Sequence, residues 1–169
     1  MRAALVVGLL IFAAIVVAVV ALVRDSQAGA APGENCPPGA ARVDLTLPDT
    51  AAEVKLRVFN GTAAKGTAER VSRDFKDRGF QMQPAAATKS KHAGVAIVRY
   101  GPKTVGAAQW IRAYFLGEAE TAYNPKQTTD VIDVVIGERF RQLATRTEVN
   151  QSLAQLSEPQ LPPGACPAP

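Results

Sequence analysis

The sequence predicts an α/β fold, a two-layer α+β sandwich in which two main helices cover one face of a mixed sheet of about four to five strands. Two observations carry this prediction. Short segments whose apolar residues recur at every second position alternate with longer segments in which they recur at every third or fourth position. The segments run strand, helix, strand, strand, helix, strand, and two such helices cover one face of a sheet most easily.

The first strand, Val54 to Phe59, alternates apolar and basic residues. Side chains at successive positions of a strand point to opposite faces of the sheet. If the two valines and the leucine of this strand face the helices, Lys55, Arg57 and Phe59 face the other way. We therefore expect a basic, partly aromatic open face, and these three residues are the first candidates for a binding surface.

A turn and a helix follow this strand. Asn60 and Gly61 predict a tight turn because both residues tolerate a positive φ. The helix is expected to start at Gly66 and to end at Gly79, which takes the left-handed cap position. One helical stripe carries the apolar residues Ala68, Val71 and Phe75. A short strand then resumes the period of two up to Pro84.

Later segments complete the predicted sandwich. Ala86 to Ala93, with Ser90 and His92, is expected to be an exposed, mobile polar loop. The further predicted elements are a central strand at Gly94 to Tyr100, a helix at Gly106 to Leu116, strands at Glu120 to Tyr123 and Val131 to Ile136, and a short amphipathic helix from Thr147. Before the sandwich, the alternating residues Val43, Leu45 and Leu47 predict a short edge strand.

Trp110 and Tyr114 lie on one flank of the second predicted helix. An aromatic pair in this place is typical of the rim of a hydrophobic core. It is also typical of an anchor for a partner protein, a role in which both residue types are enriched. With both interpretations open, Trp110 and Tyr114 are the second candidates for a binding surface.

The N-terminal segment predicts a membrane anchor. Ala3 to Val23 is a run of 21 residues without a charge, long enough to cross a bilayer at about 1.5 Å per residue. We expect residues 1–24 to form a cytoplasmic start and a single transmembrane helix, with the rest of the chain outside the membrane. A cleavable signal peptide is the alternative, because Ala28 to Ala30 fits a cleavage site.

The chain has two cysteines, Cys36 and Cys166. In an exported protein, one cysteine at each end of the folded part indicates a disulfide bond between the two cysteines. Two free thiols in flexible termini are the alternative. The predicted organisation after the anchor is a linker at 25–52 that contains Cys36, a domain at 53–143, and a short helix with a proline-rich tail at 144–169 that contains Cys166.

The net charge of +4 is unevenly distributed. Residues 54–141 hold 15 basic and 8 acidic residues, a local charge of +7 between acidic flanks. A moderately basic domain outside the membrane suits anionic envelope polymers or lipid headgroups better than nucleic acid. Ordinary solubility charge is the alternative.

Few residues point to catalysis or to a cofactor. His92 is the one histidine, which excludes a histidine-rich metal site within one chain, and we predict no cofactor. Ser90 close to His92 is not a catalytic triad, because no acid partner can be identified. The loop from Gly61 to Thr67 sits where a P-loop would, but its lysine precedes the second glycine. An anion held by backbone amides at the helix start remains an alternative.

Four motifs resemble the LytR C-terminal domain of actinobacterial envelope proteins. They are V-F-N-G-T at Val58 to Thr62, R-G-F at Arg78 to Phe80, V-R-Y-G-P at Val98 to Pro102, and D-V-V-I-G-E-R-F at Asp133 to Phe140. Each motif is short, but their order and spacing over residues 53–143 make the resemblance fairly specific. Thr67 stands where a leucine is expected, a departure that concerns the first turn of the helix.

The resemblance implies a noncatalytic module that helps to maintain the cell envelope. In larger LytR-type proteins this module follows a catalytic domain that attaches glycopolymers to peptidoglycan. The 169 residues contain no such domain, so we expect a stand-alone version, similar to actinobacterial envelope integrity proteins. The expected partners are the membrane and a cell wall glycopolymer or a LytR-type envelope-assembly protein. The alternative from another class is a small hydrolase or transferase that acts on wall polymers.

Overall fold

The computed structural model describes residues 36–84 and 91–168. Within these residues the chain forms three α-helices, a mixed five-stranded sheet and a separate two-stranded sheet. The strands are β1 Ala41–Val43, β2 Lys55–Asn60, β3 Gln81–Met82, β4 Ala96–Tyr100, β5 Glu120–Tyr123, β6 Val131–Ile136 and β7 Ala165–Pro167. The helices are α1 Thr67–Asp77, α2 Val105–Ala113 and α3 Arg146–Leu156.

Strand β6 lies at the centre of the five-stranded sheet, whose order is β3-β2-β6-β4-β5. It pairs in parallel with β2 and antiparallel with β4, while β3 and β5 add parallel edges. The sequence V-I-D-V-V-I suits a central strand because five of its six side chains are apolar. The predicted mixed sheet is therefore confirmed, with β4 beside the centre rather than in it.

The core lies between one face of the sheet and the helices. Across the sheet, Val58, Val134 and Val98 stand in one row, and each is at most 1% exposed. Helix α1 places Phe75 on this row of strands, and the Phe75 ring is fully buried and 5.2 Å from that of Phe80. Burying a phenylalanine of this kind stabilises the fold by roughly 1.5–3 kcal/mol.

Helix α3 is the short amphipathic helix of the prediction, and it packs against α2. It starts earlier than Thr147, because Thr145 caps it: the Thr145 side chain accepts a hydrogen bond from the backbone N–H of Glu148, and the Glu148 carboxylate accepts one from the backbone N–H of Thr145. This reciprocal pair is a capping box. Its signature, Thr145-Arg-Thr-Glu148, is present in the sequence.

The turn after β2 differs from its prediction. The positive φ belongs to Gly66, at +78°, rather than to Asn60 or Gly61. The Asn60 side chain closes the turn, because its oxygen accepts from the backbone N–H of Thr62 at 2.9 Å and its nitrogen donates to the carbonyl of Ala64 at 2.7 Å. Gly79 follows Arg78, the C-cap residue of α1, and has a φ of +94°, as predicted.

The predicted edge strand at Val43, Leu45 and Leu47 is wrong in extent and in partner. Strand β1 ends at Val43 and pairs in parallel with β7 rather than with the five-stranded sheet. After it, Asp44 donates its backbone N–H to the carbonyl of Pro102 and accepts from the backbone N–H of Gly106. These bonds turn the chain towards the start of α2, and they end the strand.

The disulfide predicted from the sequence is present in the structure. Cys36 and Cys166 are bonded, with their Cα atoms 6.0 Å apart and 130 positions apart in sequence. Cys166 is part of β7, so the bond and the β1–β7 pairing together hold the C-terminal tail beside the start of the described chain.

The segment before β4 also differs from its prediction as an exposed loop. Residues 85–90, which include Ser90, lie outside the described residues, but the His92 side chain is only 10% exposed. Its backbone N–H donates to Gly61, and its backbone carbonyl accepts from Glu138. The segment at His92 is therefore held between the turn after β2 and the chain after β6.

Glycines make this close packing around His92 feasible. A Cβ on Gly94 would collide with Nε2 of the imidazole and lie 2.8 Å from its Cε1. A Cβ on Gly137 would collide with the carbonyl oxygen of Gly94 and lie 2.6 Å from Cδ2 of His92. The obstacle at Gly94 is thus a side chain, whereas the obstacle at Gly137 includes backbone.

The anchor predicted for Ala3 to Val23 lies outside the described residues. Within 36–84 and 91–168, no helix combines the length and the apolar character that crossing a bilayer requires.

We predict that replacing both Cys36 and Cys166 by serine lowers the free energy of unfolding by about 2–5 kcal/mol, because the open chain gains entropy when unfolded. Urea unfolding of the oxidised protein and of the double variant gives this difference. A reducing agent should lower the stability of the wild type and leave that of the double variant unchanged. Two reactive thiols in the denatured, nonreduced wild type would contradict the bond.

We predict that Gly94→Ala lowers the free energy of unfolding by about 1–3 kcal/mol through overpacking against His92. In a His92→Ala background the same substitution should cost much less, since the obstructing imidazole is gone. Gly137→Ala is the comparison: removing the imidazole relieves one of its contacts, but the obstacle at the Gly94 backbone remains, so its cost should fall by less than that of Gly94→Ala. Thermal unfolding of the six proteins tests this, and equal coupling at both glycines would contradict the assignment.

Candidate functional site

The alternation of β2 places Lys55, Arg57 and Phe59 on the sheet face opposite the helices, because Leu56 and Val58 are in the core. Neighbouring strands extend this surface. We call it the open face, and it consists of Lys55, Arg57, Phe59, Ile97, Arg99, Val131, Asp133 and Val135. All of these residues except Val135 are partly exposed.

A row of charged residues crosses the open face. Arg57 donates from Nε and Nη2 to the two carboxylate oxygens of Asp133, at 2.8 and 3.0 Å. This hydrogen bonding raises the pKa of Arg57, against the opposing effect of its partial burial. In the strand register Asp133 also faces Arg99 on β4. Asp133 therefore stands between two arginines in the register and forms its ion pair with Arg57.

Lys55 has an acidic partner as well. Its Nζ lies 2.7 Å from a carboxylate oxygen of Asp130, and this hydrogen bond lowers the pKa of Asp130. The sequence predicted a basic open face, but the structure pairs both cations of β2 with aspartates. Arg99 is the cation of the open face for which the described residues include no salt bridge.

A second row on the open face is apolar. Phe59, Val135 and Ile97 stand side by side in the register, and Val135 is fully buried. The Arg57 guanidinium lies 5.3 Å from the centre of the Phe59 ring, within reach of a cation–π interaction. The open face thus joins an apolar row to a charged row that contains Arg99 and the ion-paired Arg57.

Trp110 and Tyr114 lie on the other side of the sheet. The Tyr114 ring is 8% exposed and lies 5.6 Å from Phe75, with the Arg78 guanidinium 5.4 Å from its centre. Trp110 is partly buried, 5.4 Å from Phe80. Between the two interpretations of this pair, the packing favours the rim of the core, and the structure does not bring the pair together with the open face.

In the loop between β2 and α1, backbone N–H groups donate hydrogen bonds to acceptors of the chain itself. The backbone N–H of Ala63 donates to the Glu138 carboxylate at 2.7 Å. Thr67, the departure from the family pattern, is buried at the first position of α1 and donates its hydroxyl to the Ala64 carbonyl. An anion from outside would therefore compete with a carboxylate of the chain itself at Ala63.

No metal site is formed within 36–84 and 91–168, where no three histidine, cysteine, aspartate or glutamate residues cluster suitably. Sequence reasoning missed Ile97 and Arg99 as parts of the open face. Their alternation with the buried residues Ala96 and Val98 was the available signal.

One relative is a Mycobacterium tuberculosis (strain ATCC 25618 / H37Rv) protein named cell envelope integrity protein Cei, to which the chain is 28% identical over 136 residues. The match covers 76% of this chain and 61% of that protein, so the chain spans about three-fifths of that relative's length. A solved soluble domain of a hypothetical secreted protein from Mycobacterium marinum is 25% identical, with a TM-score of 0.49, over 74% of this chain and 82% of the other.

A family described as LytR cell envelope-related transcriptional attenuator matches residues 53–140. This range is just over half of the chain and includes every strand of the five-stranded sheet, with the helices α1 and α2. The resemblance drawn from the four motifs is thus confirmed, and the chain belongs to the LytR C-terminal family.

Proposed function

We propose that this chain is a noncatalytic, single-pass membrane protein whose extracytoplasmic domain supports the cell envelope by binding a protein of envelope assembly through the open face. Membership of an envelope-related family supports the setting. So does the name of the mycobacterial relative, a cell envelope integrity protein. The observation that carries the binding role is the open face itself, an apolar row beside Arg99 and the ion-paired Arg57 on the sheet face opposite the helices.

The charges of the open face favour a protein over a polymer. A polymer with repeated negative charges is attracted by unpaired cations. Here Lys55 and Arg57 are held by Asp130 and Asp133, which leaves Arg99. Arginine and aromatic residues around a desolvated apolar centre are instead the composition of protein interfaces. The wall glycopolymer is therefore the competing outcome of the test below.

Two sequence features support the topology. The 21 uncharged residues Ala3 to Val23 can span a bilayer as one helix. The disulfide between Cys36 and Cys166 suits an oxidising compartment outside the cytoplasm.

We predict that Ile97→Asp combined with Arg99→Ala reduces complementation of a strain that lacks this protein, because a charge replaces the apolar centre of the open face. Arg73→Ala, an exposed arginine on α1, is the matched control and should complement fully. Membrane yield and thermal unfolding check that each variant folds. Full complementation by a folded Ile97→Asp, Arg99→Ala variant would remove the open face from the proposal.

A charge swap separates the two kinds of partner. Lys55→Asp with Asp130→Lys keeps the net charge and the opposite signs of an exposed pair. A polymer that responds to net charge should tolerate the swap, whereas a protein partner with fixed charges should bind more weakly. Crosslinking from Phe59 in intact cells gives the readout. If Lys55→Glu alone reduces crosslinking while the double swap does not, the result favours the polymer.

We predict that the mature protein keeps its N-terminal segment and remains in the membrane fraction after washing with high salt and carbonate. A helix that spans the bilayer resists both treatments, whereas a peripheral protein is released. N-terminal sequencing of the purified protein is the second measurement. A mature chain that starts at Ala31 would show cleavage and would contradict the anchor.

A further inference from the structure

A cleft of about 420 Å³ lies on the helix side of the sheet, away from the open face. It is bounded by β4, the edge strand β5, the helices α2 and α3, and the tail at 159–162. The residues that give it chemical character are Tyr100, Gln109, Arg112, Thr121, Gln155 and Leu161. A volume of this size is within the range of clefts that bind small molecules.

Arg112 is the one charged residue among the described residues that line the cleft. Its Nη1 and Nη2 donate to Gln109 Oε1 and to the carbonyl of Gly117, each at 3.3 Å, and its Nε is buried without an acceptor. Arg57, by contrast, donates to a carboxylate at 2.8 and 3.0 Å. The two Nη atoms of Arg112 therefore make only long bonds to neutral oxygens, and the guanidinium has no carboxylate partner within the described residues.

Neutral hydrogen-bonding groups surround this guanidinium. Burial raises the pKa of Tyr100, while interaction with Thr121 and the charge of Arg112 oppose that rise, so the phenol is a neutral donor that feels the arginine. The amides of Gln109 and Gln155 line the same cleft. Several neutral donors and acceptors around one cation suit a ligand with many hydroxyl groups and one negative group.

The tail contributes a mostly apolar part of the cleft lining, and the tail is held at both of its ends. Leu161 belongs to the tail that follows α3, and the Gln109 side chain donates to the carbonyls of Leu156 and Ser157 where that tail begins. The far end of the tail is held by β7 and its disulfide at Cys166. The cleft is thus formed before any ligand arrives, which lowers the ordering cost of binding.

We propose that this cleft binds a small acidic sugar, with the Arg112 guanidinium holding its carboxylate or phosphate. A guanidinium pairs with either oxyanion through two parallel hydrogen bonds. The amides and hydroxyls around it bind the sugar hydroxyls, and the wall at Leu161 covers an apolar side of the ring. This site is separate from the open face and does not depend on it.

Isothermal titration of the full chain in detergent micelles tests the proposal with four probes: glucuronate, glucose 6-phosphate, glucose and inorganic phosphate. At least one of the acidic sugars should bind roughly tenfold or more tightly than glucose and than inorganic phosphate. Whichever of glucuronate and glucose 6-phosphate binds more tightly identifies carboxylate or phosphate as the preferred oxyanion. If inorganic phosphate and glucose 6-phosphate bind with equal affinity and glucuronate does not bind, the proposal that the ligand is a sugar is overturned.

Two variants locate the site. Arg112→Gln should lower the affinity for the acidic sugar roughly tenfold or more, to a value close to that for glucose, because a charge-assisted pair is lost. Gln155→Trp adds bulk at an exposed position of the cleft and should also block binding, without touching the guanidinium. Arg73→Gln, at an exposed position of α1, is the matched control and should bind as the wild type does. Unchanged affinity in a folded Gln155→Trp variant, or no binding of either acidic sugar to the wild type, would overturn the proposal.

Discussion

The pairing of β6 with β2 and β4 is the constraint on which the remaining structure depends. Because side chains alternate along a strand, one register sets two rows at once. Val134 stands between Val58 and Val98 under the helices, and its neighbour Asp133 stands between Arg57 and Arg99 on the open face. A slip of one residue would bury the charged row and expose the core, so the hydrophobic effect also positions the ion pairs.

On the helix side of the sheet, the same pairing also determines where the outer elements, α3 and the C-terminal tail, pack. Helices α1 and α2 are held by the apolar row of the strands, and α3 and the tail are held by α2. The cleft at Arg112 lies between these successive layers, and the disulfide at Cys166 holds the outermost one. Its shape is therefore a product of packing over several elements, and no short motif contains it.

The glycines of the family motifs have a physical role in this arrangement. Gly61 follows β2 and Gly137 follows β6, and the segment at His92 passes close to both. At Gly61 a Cβ would lie 2.6 Å from the carbonyl oxygen of Ile136. The motifs thus mark places where backbones approach each other closely at one end of the sheet.

The sequence by itself determined the strands of the five-stranded sheet and the three helices, since the period of two in β2 and β6 and the stripe of Ala68, Val71 and Phe75 in α1 are local properties. It also determined which side chains of β2 share a face and which two cysteines are available to pair. Only the tertiary structure decided the partners across the chain: Asp133 with Arg57, Asp130 with Lys55, β1 with β7, and Tyr114 with the core. Those contacts join residues far apart in sequence. The charge and periodicity of a segment do not depend on which strand becomes its neighbour, so they cannot identify its partner. The alternation in β2 therefore predicted a basic face, which ion pairing with Asp130 and Asp133 largely neutralises.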